Sequence, residues 1–600
     1  MAIWGVVDHR ENADEMRRSG QYLRTAFQTP GMPLTVQGAM TAAQRAGRFD
    51  DLLIAVKGLP KIDGPADAIS LEELVQRFRE EGPGMLAGLQ GAFSLAIVDL
   101  SRQRTMLAVD RMGIGRLAYA AEGSRIVFAD RVDRLARCPG ISAELSQQSL
   151  HDFLFFHMIP SPGSVFSGIN KIEPASYVTF CEGRLQSGTY WAPKFHPDRT
   201  RSIAQLGESL RDALEHSVRA TDPGPATGAF LSGGLDSSTV AAYLGKATGA
   251  PARTYSIGFD EPGYDELPFA RIANQHFRCR GHEYRVTSAD VIDLFPSIAK
   301  AYDEPFGNSS ALPALLCARL AAEDGVTHLL AGDGGDELFA GNERYAKQLV
   351  FEKYQSIPRI LRTRLIEPAA RFLRTWPSVP PLRKLCSYID QARIPLPERL
   401  ETWNIVYREG VKTMLDPDFA ANVDLNAPIQ QMHGVYHRAV ADDTLDRLLA
   451  FDWHFTLADS DLRKVSRMCE LAGVRVSYPM LDNRLVDLAM EIPPEVKMRN
   501  GNLRSFYKQA LQEILPDAIL KKSKHGFGLP VGKWLKAEPR LAELIYSRLQ
   551  SLKNRRILQN RFIDDLIAHQ RAGHHAYYGF FLWDLAILEE WLAEQERTTG

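Results

Sequence analysis

Residues 229–239 constrain the fold of this chain more than any other stretch, with the sequence Ala-Phe-Leu-Ser-Gly-Gly-Leu-Asp-Ser-Ser-Thr. An apolar run ending at Leu231 predicts a buried strand, and the residues from Thr239 onward predict a helix. A turn between a strand and a helix directs free backbone N–H groups and the positive end of the helix dipole to one point. Two glycines allow an anion to approach closely, and three serines add hydroxyl donors. The turn therefore predicts a pyrophosphate site, made by Leu231, Ser232, Gly233, Gly234, Ser237 and Ser238.

Asp236 lies inside this predicted anion site, where its carboxylate would repel a phosphate. A divalent cation between the two groups removes the repulsion, and hard cations take oxygen ligands. We therefore predict Asp236 as a Mg²⁺ ligand within the nucleotide site. The turn differs from a P-loop, which requires GxxxxGK[ST], and from the GxGxxG of dinucleotide-binding folds.

A second strand-to-turn motif follows at residues 329–339, Leu-Leu-Ala-Gly-Asp-Gly-Gly-Asp-Glu-Leu-Phe. It carries three acids within five residues, Asp333, Asp336 and Glu337. Acids so close together repel each other unless a cation or a donor neutralises them. Because the carboxyl ends of parallel strands form one crevice, we expect this turn to share a pocket with the first.

The motif Ser-Gly-Gly-Leu-Asp-Ser-Ser resembles the PP-loop of ATP pyrophosphatases, which cleave ATP between its α and β phosphates and adenylate a substrate. With Gly-Asp-Gly-Gly-Asp-Glu at 332–337 and motifs at 464–468, 478–487 and 521–535, residues 200–595 are similar to asparagine synthetases. The resemblance implies ATP and Mg²⁺ as cofactors. It assigns Mg²⁺ to Asp236 and Asp336, ATP to Gly332, Ser256, Ile257 and Gly258, and catalytic roles to Asp333, Glu337 and Lys524.

The same resemblance implies a substrate pocket made by Glu304, Arg475, Ser477 and Tyr478. Glu304 belongs to an Asp-Glu-Pro triplet that matches the family. The run from Arg475 to Tyr478 departs from it, since the family usually has Glu-Ala-Arg-Val at this place. An arginine instead of the acid reverses the charge beside the acceptor. The carboxyl substrate therefore need not be aspartate.

In the N-terminal third, short strand patterns, among them residues 93–99, and a helical pattern at 71–81 predict a layered α+β domain. Segments 86–93, 108–113 and 128–130 resemble the glutamine amidotransferase domain of the asparagine synthetases. That domain normally attacks glutamine with an N-terminal cysteine thiol, whereas position 2 here is Ala2, and a methyl group is no nucleophile. Lys57-Gly-Leu-Pro stands roughly where the family has Asn-Gly-Glu. We predict a scaffold domain without glutaminase activity.

The chain is therefore predicted to be an α/β protein of two domains, as its 600 residues exceed a single core. Residues 1–192 are expected to form the degenerate class II glutamine amidotransferase-like domain, with an Ntn-hydrolase-like fold. Residues 200–600 are expected to form an ATP-pyrophosphatase domain, a doubly wound parallel sheet with a helical C-terminal part. The polar, proline-broken segment 193–200 is the expected linker.

Charge and cysteine usage narrow the class of partner. A formal net charge of −2 gives no electrostatic footprint for nucleic acid or an anionic membrane. No apolar run approaches the roughly 20 residues that span a bilayer. Six scattered cysteines without a CxxC pair argue against structural zinc and favour a reduced compartment. We predict a cytoplasmic enzyme without a nucleic-acid or membrane partner, and a homodimer is compatible with the sequence.

The resemblance implies an AMP-forming amide ligase. A small-molecule or peptide carboxylate attacks the α-phosphorus of ATP, pyrophosphate leaves, and ammonia or an amine attacks the acyl-adenylate. An alternative is intramolecular amide closure, as in β-lactam synthetases and lasso-peptide cyclases, whose glutaminase domain is also disabled. A non-catalytic scaffold is a second alternative, although a scaffold has no need for paired acids at a phosphate turn.

Overall fold

The computed structural model describes residues 3–8, 44–62, 68–261, 263–373, 380–522, 528–573 and 575–599. Two of the predicted functional positions, Ala2 and Lys524, lie outside these residues. The described chain forms a mixed α/β structure with antiparallel sheets in its first third and a parallel sheet after them. This agrees with the predicted fold class.

Two antiparallel sheets build the first third. The larger has six strands, in spatial order Arg184–Thr189, Ser176–Cys181, Arg104–Val109, Phe93–Asp99, Leu52–Gly58 and Gln44–Phe49. The smaller has four, in spatial order Trp4–Asp8, Arg125–Ala129, Ala118–Glu122 and Asn170–Lys171. A two-stranded ribbon pairs Lys61–Ile62 with Leu89–Gln90.

The central strand Phe93–Asp99 explains the layering, because all seven of its residues are buried. Leu95 and Ile97 face a core that also contains helix Leu71–Glu81. Ala96 and Val98 face a second core between the two sheets. Alternate side chains point to opposite faces of a strand, so one strand serves both layers. Among the described residues of this part, the further helices are Gly82–Gly88 (3₁₀), Val132–Leu135 and Gln147–Phe156.

Helix Leu71–Glu81 agrees with its predicted range. Its buried residues are Leu74, Val75 and Phe78, which recur at helical spacing. The Ser70 hydroxyl accepts a hydrogen bond from the Glu73 amide and so caps the N-terminus. An apolar face and a cap at the expected place are sufficient to fix this helix.

The second part is organised by five parallel strands, in spatial order Arg280–Val286, Arg253–Phe259, Thr227–Phe230, His328–Leu330 and Arg475–Ser477. The first of these strands in the chain, Thr227–Phe230, is central in space. The next two strands in the chain lie on one side of it and the last two on the other. The order therefore reverses between Thr227–Phe230 and His328–Leu330, and such a switch point opens a crevice at the carboxyl ends.

Five helices accompany the sheet: Ile203–Arg219, Leu235–Thr248, Leu267–Phe277, Ser288–Ala301 and Ala311–Glu323. The helices that follow, up to the last strand, are Gly335–Leu338, Glu343–Gln355, Arg359–Leu361, Arg362–Ile366 (π), Glu367–Leu373, Pro380–Ala392, Glu398–Glu401 (3₁₀), Ile405–Glu409, Val411–Met414, Pro417–Ala421, Ala427–Arg438, Thr444–Asp452, Trp453–Asp461 (π) and Leu462–Leu471. After it come Pro479–Leu481 (3₁₀), Asn483–Glu491, Pro494–Lys497, Arg499–Gly501 (3₁₀), Ser505–Ala510, Asp517–Lys521, Val531–Ala537, Pro539–Leu552, Lys553–Arg555 (3₁₀), Asn560–Ala572 and His575–Thr599.

The predicted domain boundary between 192 and 200 stays a prediction. Buried apolar residues from both sides of it, such as Phe153 and Leu210, belong to one continuous core. Within the described residues, none of the helices combines the length and apolar character needed to cross a membrane.

Candidate functional site

The serine turn, residues 231–238, joins strand Thr227–Phe230 to helix Leu235–Thr248. The helix begins four residues earlier than Thr239, where the sequence predicted it, so Asp236 to Ser238 occupy its first turn. Gly233 makes the turn possible, because its φ is +67° and a Cβ there would lie 2.4 Å from the Ala270 amide nitrogen. No side chain caps the helix, whose N-cap is Gly234. Its first backbone N–H groups therefore have no capping side chain and can bind an anion.

The serine hydroxyls of this turn are held close together. Ser232 Oγ and Ser237 Oγ are 3.1 Å apart, and the Gly234 amide donates to Ser232 Oγ at 3.3 Å. Ser238 Oγ is fully buried and has no hydrogen-bond partner among the described residues. A buried hydroxyl without a partner is costly unless a ligand or water satisfies it. The arrangement fits a phosphate group.

The acidic turn, residues 332–337, follows strand His328–Leu330 and leads into helix Gly335–Leu338. It packs directly against the serine turn. A Cβ on Gly332 would lie 2.8 Å from the Ser237 amide nitrogen, and one on Gly335 would lie 1.9 Å from Asp236 Oδ1. The two predicted motifs therefore share one pocket at the switch point of the sheet.

This close approach leads to a first prediction. Gly332→Ala would place a methyl group against the Asp236–Ser237 backbone and push the two turns apart. We expect pyrophosphate release to fall about 100-fold, because a displacement of roughly 1 Å has an effect of this size on reacting groups. Initial rates at saturating ATP measure it. Gly434→Ala, in helix Ala427–Arg438 with open space around its α-carbon and no positive φ, tests the effect of an alanine outside the pocket. Equal losses in both variants would contradict the prediction.

Arg504 connects the two turns, and the sequence analysis did not single it out. Its Nη1 donates to Asp236 Oδ2 at 2.5 Å and to Asp336 Oδ1 at 3.0 Å, and its Nη2 donates to Asp236 Oδ1. The guanidinium stacks 4.2 Å from the centre of the Tyr507 ring. Burial alone would lower the pKa of Arg504, but the Asp236 and Asp336 carboxylates raise it above its ordinary range. The arginine therefore stays charged and neutralises the predicted metal ligands.

The side chains of Asp236 and Asp336 thus converge on the Arg504 guanidinium. Among the described residues, no group of three or more His, Cys, Asp or Glu side chains is arranged to hold a metal. Magnesium is commonly held by one or two carboxylates together with the phosphates of a nucleotide. Two carboxylates beside an anion site are therefore a donor set that fits Mg²⁺ bound with a nucleotide.

Asp333 lies beside a second cation. Burial raises the pKa of the Asp333 carboxyl to about 6, and the Lys464 ammonium opposes this rise. Lys464 Nζ also donates to Asp461 Oδ1 at 2.7 Å. Asp461 ends the π-helical segment Trp453–Asp461, and π turns inside helices are frequent at functional sites. The sequence motif at 464–468 contained Lys464, but its sequence offered no reason to pair it with the acidic turn.

The shifted pKa of Asp333 sets an expected pH dependence. If the carboxylate form assists the attacking amine, it is present above about pH 6 and is lost by protonation below that value. We expect amide formation to fall about tenfold for each unit below pH 6. The ratio of wild-type to Asp333→Asn rates, measured across the pH range at equal free amine, isolates this group. A ratio that does not change with pH would rule out the role.

Glu337 is buried, and Trp453 Nε1 donates to its backbone carbonyl at 3.0 Å. Its carboxylate lies near enough to Lys464 and Tyr345 to influence both. Glu337 is therefore the buried last residue of the acidic turn, and its charge favours the protonated form of Lys464.

The predicted nucleotide residues of the second strand end lie beside the serine turn. Ser256 Oγ donates to the Leu231 carbonyl at 2.7 Å, and the Leu231 amide donates to the Tyr255 carbonyl. Ile257 is buried. At Gly258 a Cβ would collide with Leu267, so only glycine fits. Ser256 therefore joins the two strand ends, and Gly258 allows helix Leu267–Phe277 to approach.

Lys522 is a further cation at the serine turn. Its Nζ lies 2.6 Å from Glu266 Oε1 and donates to the Ser232 carbonyl at 3.4 Å. The sequence analysis assigned the phosphate contact to Lys524, which lies outside the described residues, and did not single out Lys522. The Lys522 side chain is largely buried, with only 7% of it exposed.

The four predicted substrate residues separate into different environments. Ser477 Oγ contacts His328 Nε2 at 2.8 Å, and Arg475 Nη2 contacts His328 Nδ1 at 3.0 Å. Burial and the Arg475 guanidinium lower the pKa of His328 to about 3, so the imidazole is neutral. Tyr478 is buried, with its hydroxyl 2.7 Å from Ser466 Oγ, and the Asp333 charge adds to the rise in its pKa. Tyr478 therefore borders the acidic turn, whereas Arg475 lies at the start of its strand.

Glu304 has a different set of partners from the other three. It is fully buried, accepts from the Val165 amide at 2.9 Å, and pairs with Lys171 and Arg463 at 2.8 and 3.0 Å. These partners come from both parts of the chain. The Glu304 carboxylate therefore links the first third of the chain to the part that follows it.

Comparisons with known proteins match both parts of the chain. The family model "Asparagine synthase" matches residues 209–593, and the model "Glutamine amidotransferase domain" matches residues 67–191. "Asparagine synthetase [glutamine-hydrolyzing] 1" of Bacillus subtilis is 26% identical, over 78% of this chain and 72% of the relative. "Putative asparagine synthetase [glutamine-hydrolyzing]" of Mycobacterium bovis is 24% identical, over 87% and 79%. "Amidase chry2" of Gibberella zeae is 24% identical, over 77% and 73%.

Proposed function

The chain belongs to the asparagine synthase family, and on that premise we propose that it adenylates a substrate carboxylate and joins it to ammonia or an amine, without hydrolysing glutamine itself. Family membership makes it an ATP-dependent carbon–nitrogen ligase. The proposal adds the order of the steps, the metal, the nitrogen source and the residues that act.

In the first step the serine turn holds the nucleotide phosphates. The N–H groups at the start of helix Leu235–Thr248 and the hydroxyls of Ser232 and Ser237 would bind pyrophosphate oxygens. The buried Ser238 hydroxyl is a further donor. These donors keep the α-phosphorus facing the substrate carboxylate and stabilise the charge that develops on the leaving group. The resemblance assigns Lys524 to the stabilisation of that charge, and this assignment stays a prediction.

Asp236 and Asp336 would hold Mg²⁺ between the two turns. The metal supplies neutralisation of phosphate charge when it is bound. Arg504 neutralises the same two carboxylates and holds the two turns together. These side chains therefore orient the nucleotide before the substrate attacks.

In the second step Asp333 would accept a proton from the attacking amine. A carboxyl with a pKa of about 6 is ionised at neutral pH and is still basic enough to take a proton. Lys464 and Asp461 fix its surroundings. Ser477 and Tyr478 border the place where the acceptor carboxylate would lie.

One observation carries the proposal: Arg504 joins Asp236 of the serine turn to Asp336 of the acidic turn at the switch point of the parallel sheet. Converging carboxylates beside this turn are explained if the turn binds a phosphate together with a metal ion. A metal ion bound without a phosphate would need more protein ligands than these two carboxylates. The combination favours a metal–nucleotide complex over either ligand alone.

The proposed nitrogen source is free ammonia or an amine. Lys57, which stands near the family's glutamine-binding motif, directs its ammonium to Asp130 Oδ2 at 2.8 Å. Arg134 pairs with the other oxygen of Asp130. Lys57 is therefore paired with Asp130 within the protein. This pairing supports the proposal that the N-terminal domain does not bind glutamine.

A pyrophosphate-release screen tests the function. Candidate carboxylates are offered with ATP and Mg²⁺, each with ammonia, with glutamine, or without a nitrogen source. We expect at least one carboxylate to release pyrophosphate and to give amide with ammonia, while glutamine gives no more product than the control. Amide formed without added nitrogen would indicate intramolecular closure. Product from glutamine alone would contradict the proposed nitrogen source, and no release with any carboxylate would contradict the adenylation.

A further inference from the structure

We propose that this protein binds the surface of an anionic phospholipid membrane through one helix, which we name the arginine helix, residues 359–373. The helix lies outside the pocket described above, and the inference does not depend on the proposed reaction. Its four most prominent apolar side chains are directed to solvent, with exposed fractions of 66% for Ile360, 45% for Leu361, 62% for Leu365 and 67% for Phe372.

These side chains lie on the outer side of the helix. Leu361, Leu365 and Phe372 are four and seven residues apart, a spacing that aligns them along one face. The opposite face is directed into the protein, where Ala370 is buried and Ile366 packs against the same small core. The outer face of this helix is therefore apolar, whereas the outer face of a surface helix is normally polar.

Exposed arginines accompany the apolar stripe. Arg364 and Arg371 flank it on one side by their helical spacing, and Arg359 is exposed at the start of the helix. None of the three forms an ion pair with any residue that the structure describes. The acid of this helix, Glu367, is half-buried and accepts from the Tyr354 hydroxyl at 3.5 Å. The exposed surface of the helix thus combines large apolar groups with three positive charges that no described acid neutralises.

A neighbouring exposed aromatic extends the surface. Helix Glu343–Gln355 places Lys347, Val350 and Tyr354 on one face by their spacing of three and four. Lys347 Nζ lies 4.9 Å from the Trp403 ring centre, and the Arg362 guanidinium lies 5.5 Å from that of Tyr354. Trp403 and the arginine helix therefore adjoin the same face of that helix. Trp403 is 57% exposed and Val350 is 50% exposed.

The charge of the exposed arginines favours an anionic membrane as the partner of this surface. A second copy that used this face in a two-fold contact would bring arginine against arginine, which is unfavourable. A soluble helical partner is normally received in a groove, whereas this surface is a projecting helix. Apolar side chains flanked by arginines are the composition of helices that lie in the headgroup region of anionic bilayers. The near-zero charge of the whole chain conceals this local concentration.

Vesicle flotation with the full chain tests the proposal. We expect binding to vesicles of phosphatidylcholine with phosphatidylglycerol, weaker binding in high salt, and little binding to phosphatidylcholine alone. Replacing the three arginines together (Arg359→Gln, Arg364→Gln and Arg371→Gln) should weaken binding about 100-fold, because each arginine near an anionic surface contributes roughly fivefold. Leu365→Ser should weaken it by about tenfold or more.

Leu185→Ser is the matched control, because Leu185 is an exposed leucine on an edge strand of the first third. It should bind vesicles like the wild type, and all variants should keep the wild-type melting temperature. Three results would overturn the proposal: no binding of the wild type to the anionic vesicles, equal loss in Leu185→Ser, or unchanged binding in either test variant. A surface that binds only an acidic protein would give the first of these.

Discussion

Asp236→Asn should lower the rate of pyrophosphate release about 1,000-fold. The change keeps the size of the side chain and removes the charge that would hold Mg²⁺ between the two turns. Charge stabilisation by a bound metal is worth several kcal/mol, and about 1.4 kcal/mol corresponds to a factor of ten in rate. Asn can still accept a hydrogen bond from Arg504, so the contact between the turns is weakened and not abolished.

Initial rates at saturating ATP and increasing Mg²⁺ measure this effect. The variant should require more Mg²⁺ and should not recover the wild-type rate at any concentration tested. Asp290→Asn is the control, because Asp290 caps helix Ser288–Ala301 through Thr287 and lies away from the pocket. A rate for Asp236→Asn that stays near that of the control would exclude Asp236 as a metal ligand.

Arg504→Leu should destabilise the protein by about 3–5 kcal/mol in the absence of metal, the range for removing one partner of a buried ion pair. Without the guanidinium, the Asp236 and Asp336 carboxylates face each other across a largely buried gap. Mg²⁺ can neutralise them in its place. Added Mg²⁺ should therefore recover part of the lost stability in this variant, and it should stabilise the wild type less.

Arg399→Leu separates this effect from the general cost of losing a buried arginine. Arg399 is as buried as Arg504 and pairs with Glu352 and Gln348, outside the pocket. Both variants should lower the free energy of unfolding in urea, but only Arg504→Leu should respond to Mg²⁺. An equal response to Mg²⁺ in the two variants would contradict the assignment of the paired carboxylates.

Local sequence patterns anticipated much of the fold. The strand Phe93–Asp99 and the helix Leu71–Glu81 have their predicted bounds, since burial periodicity and a serine cap act over a few neighbouring residues. The start of the helix after the serine turn was placed too late, at Thr239 and not at Leu235. Serine and aspartate favour turns in a local count, yet they also favour the first turn of a helix.

The sequence anticipated the two turns of the candidate pocket and the strand end with Ser256 beside them. It did not anticipate that Glu304 pairs with Lys171 and Arg463, and whether the four predicted substrate residues form one pocket stays a prediction. Spacing along a chain cannot show which of several buried cations a carboxylate will pair with. Whether Ala2 and Lys524 act as the resemblance implies stays a prediction.

The sequence alone determined the two glycine-rich turns and the family, because each follows from residues adjacent in the chain. The tertiary structure alone decided how their charges are balanced. Arg504 lies 268 positions from Asp236 and 168 from Asp336, and Lys464 is also remote in the chain from the motif that contains Asp333. Charge pairing depends on distance in space and on burial, and the path of the backbone sets both. The arginine helix shows the same limit, because an apolar pattern does not reveal which side of a helix faces the solvent.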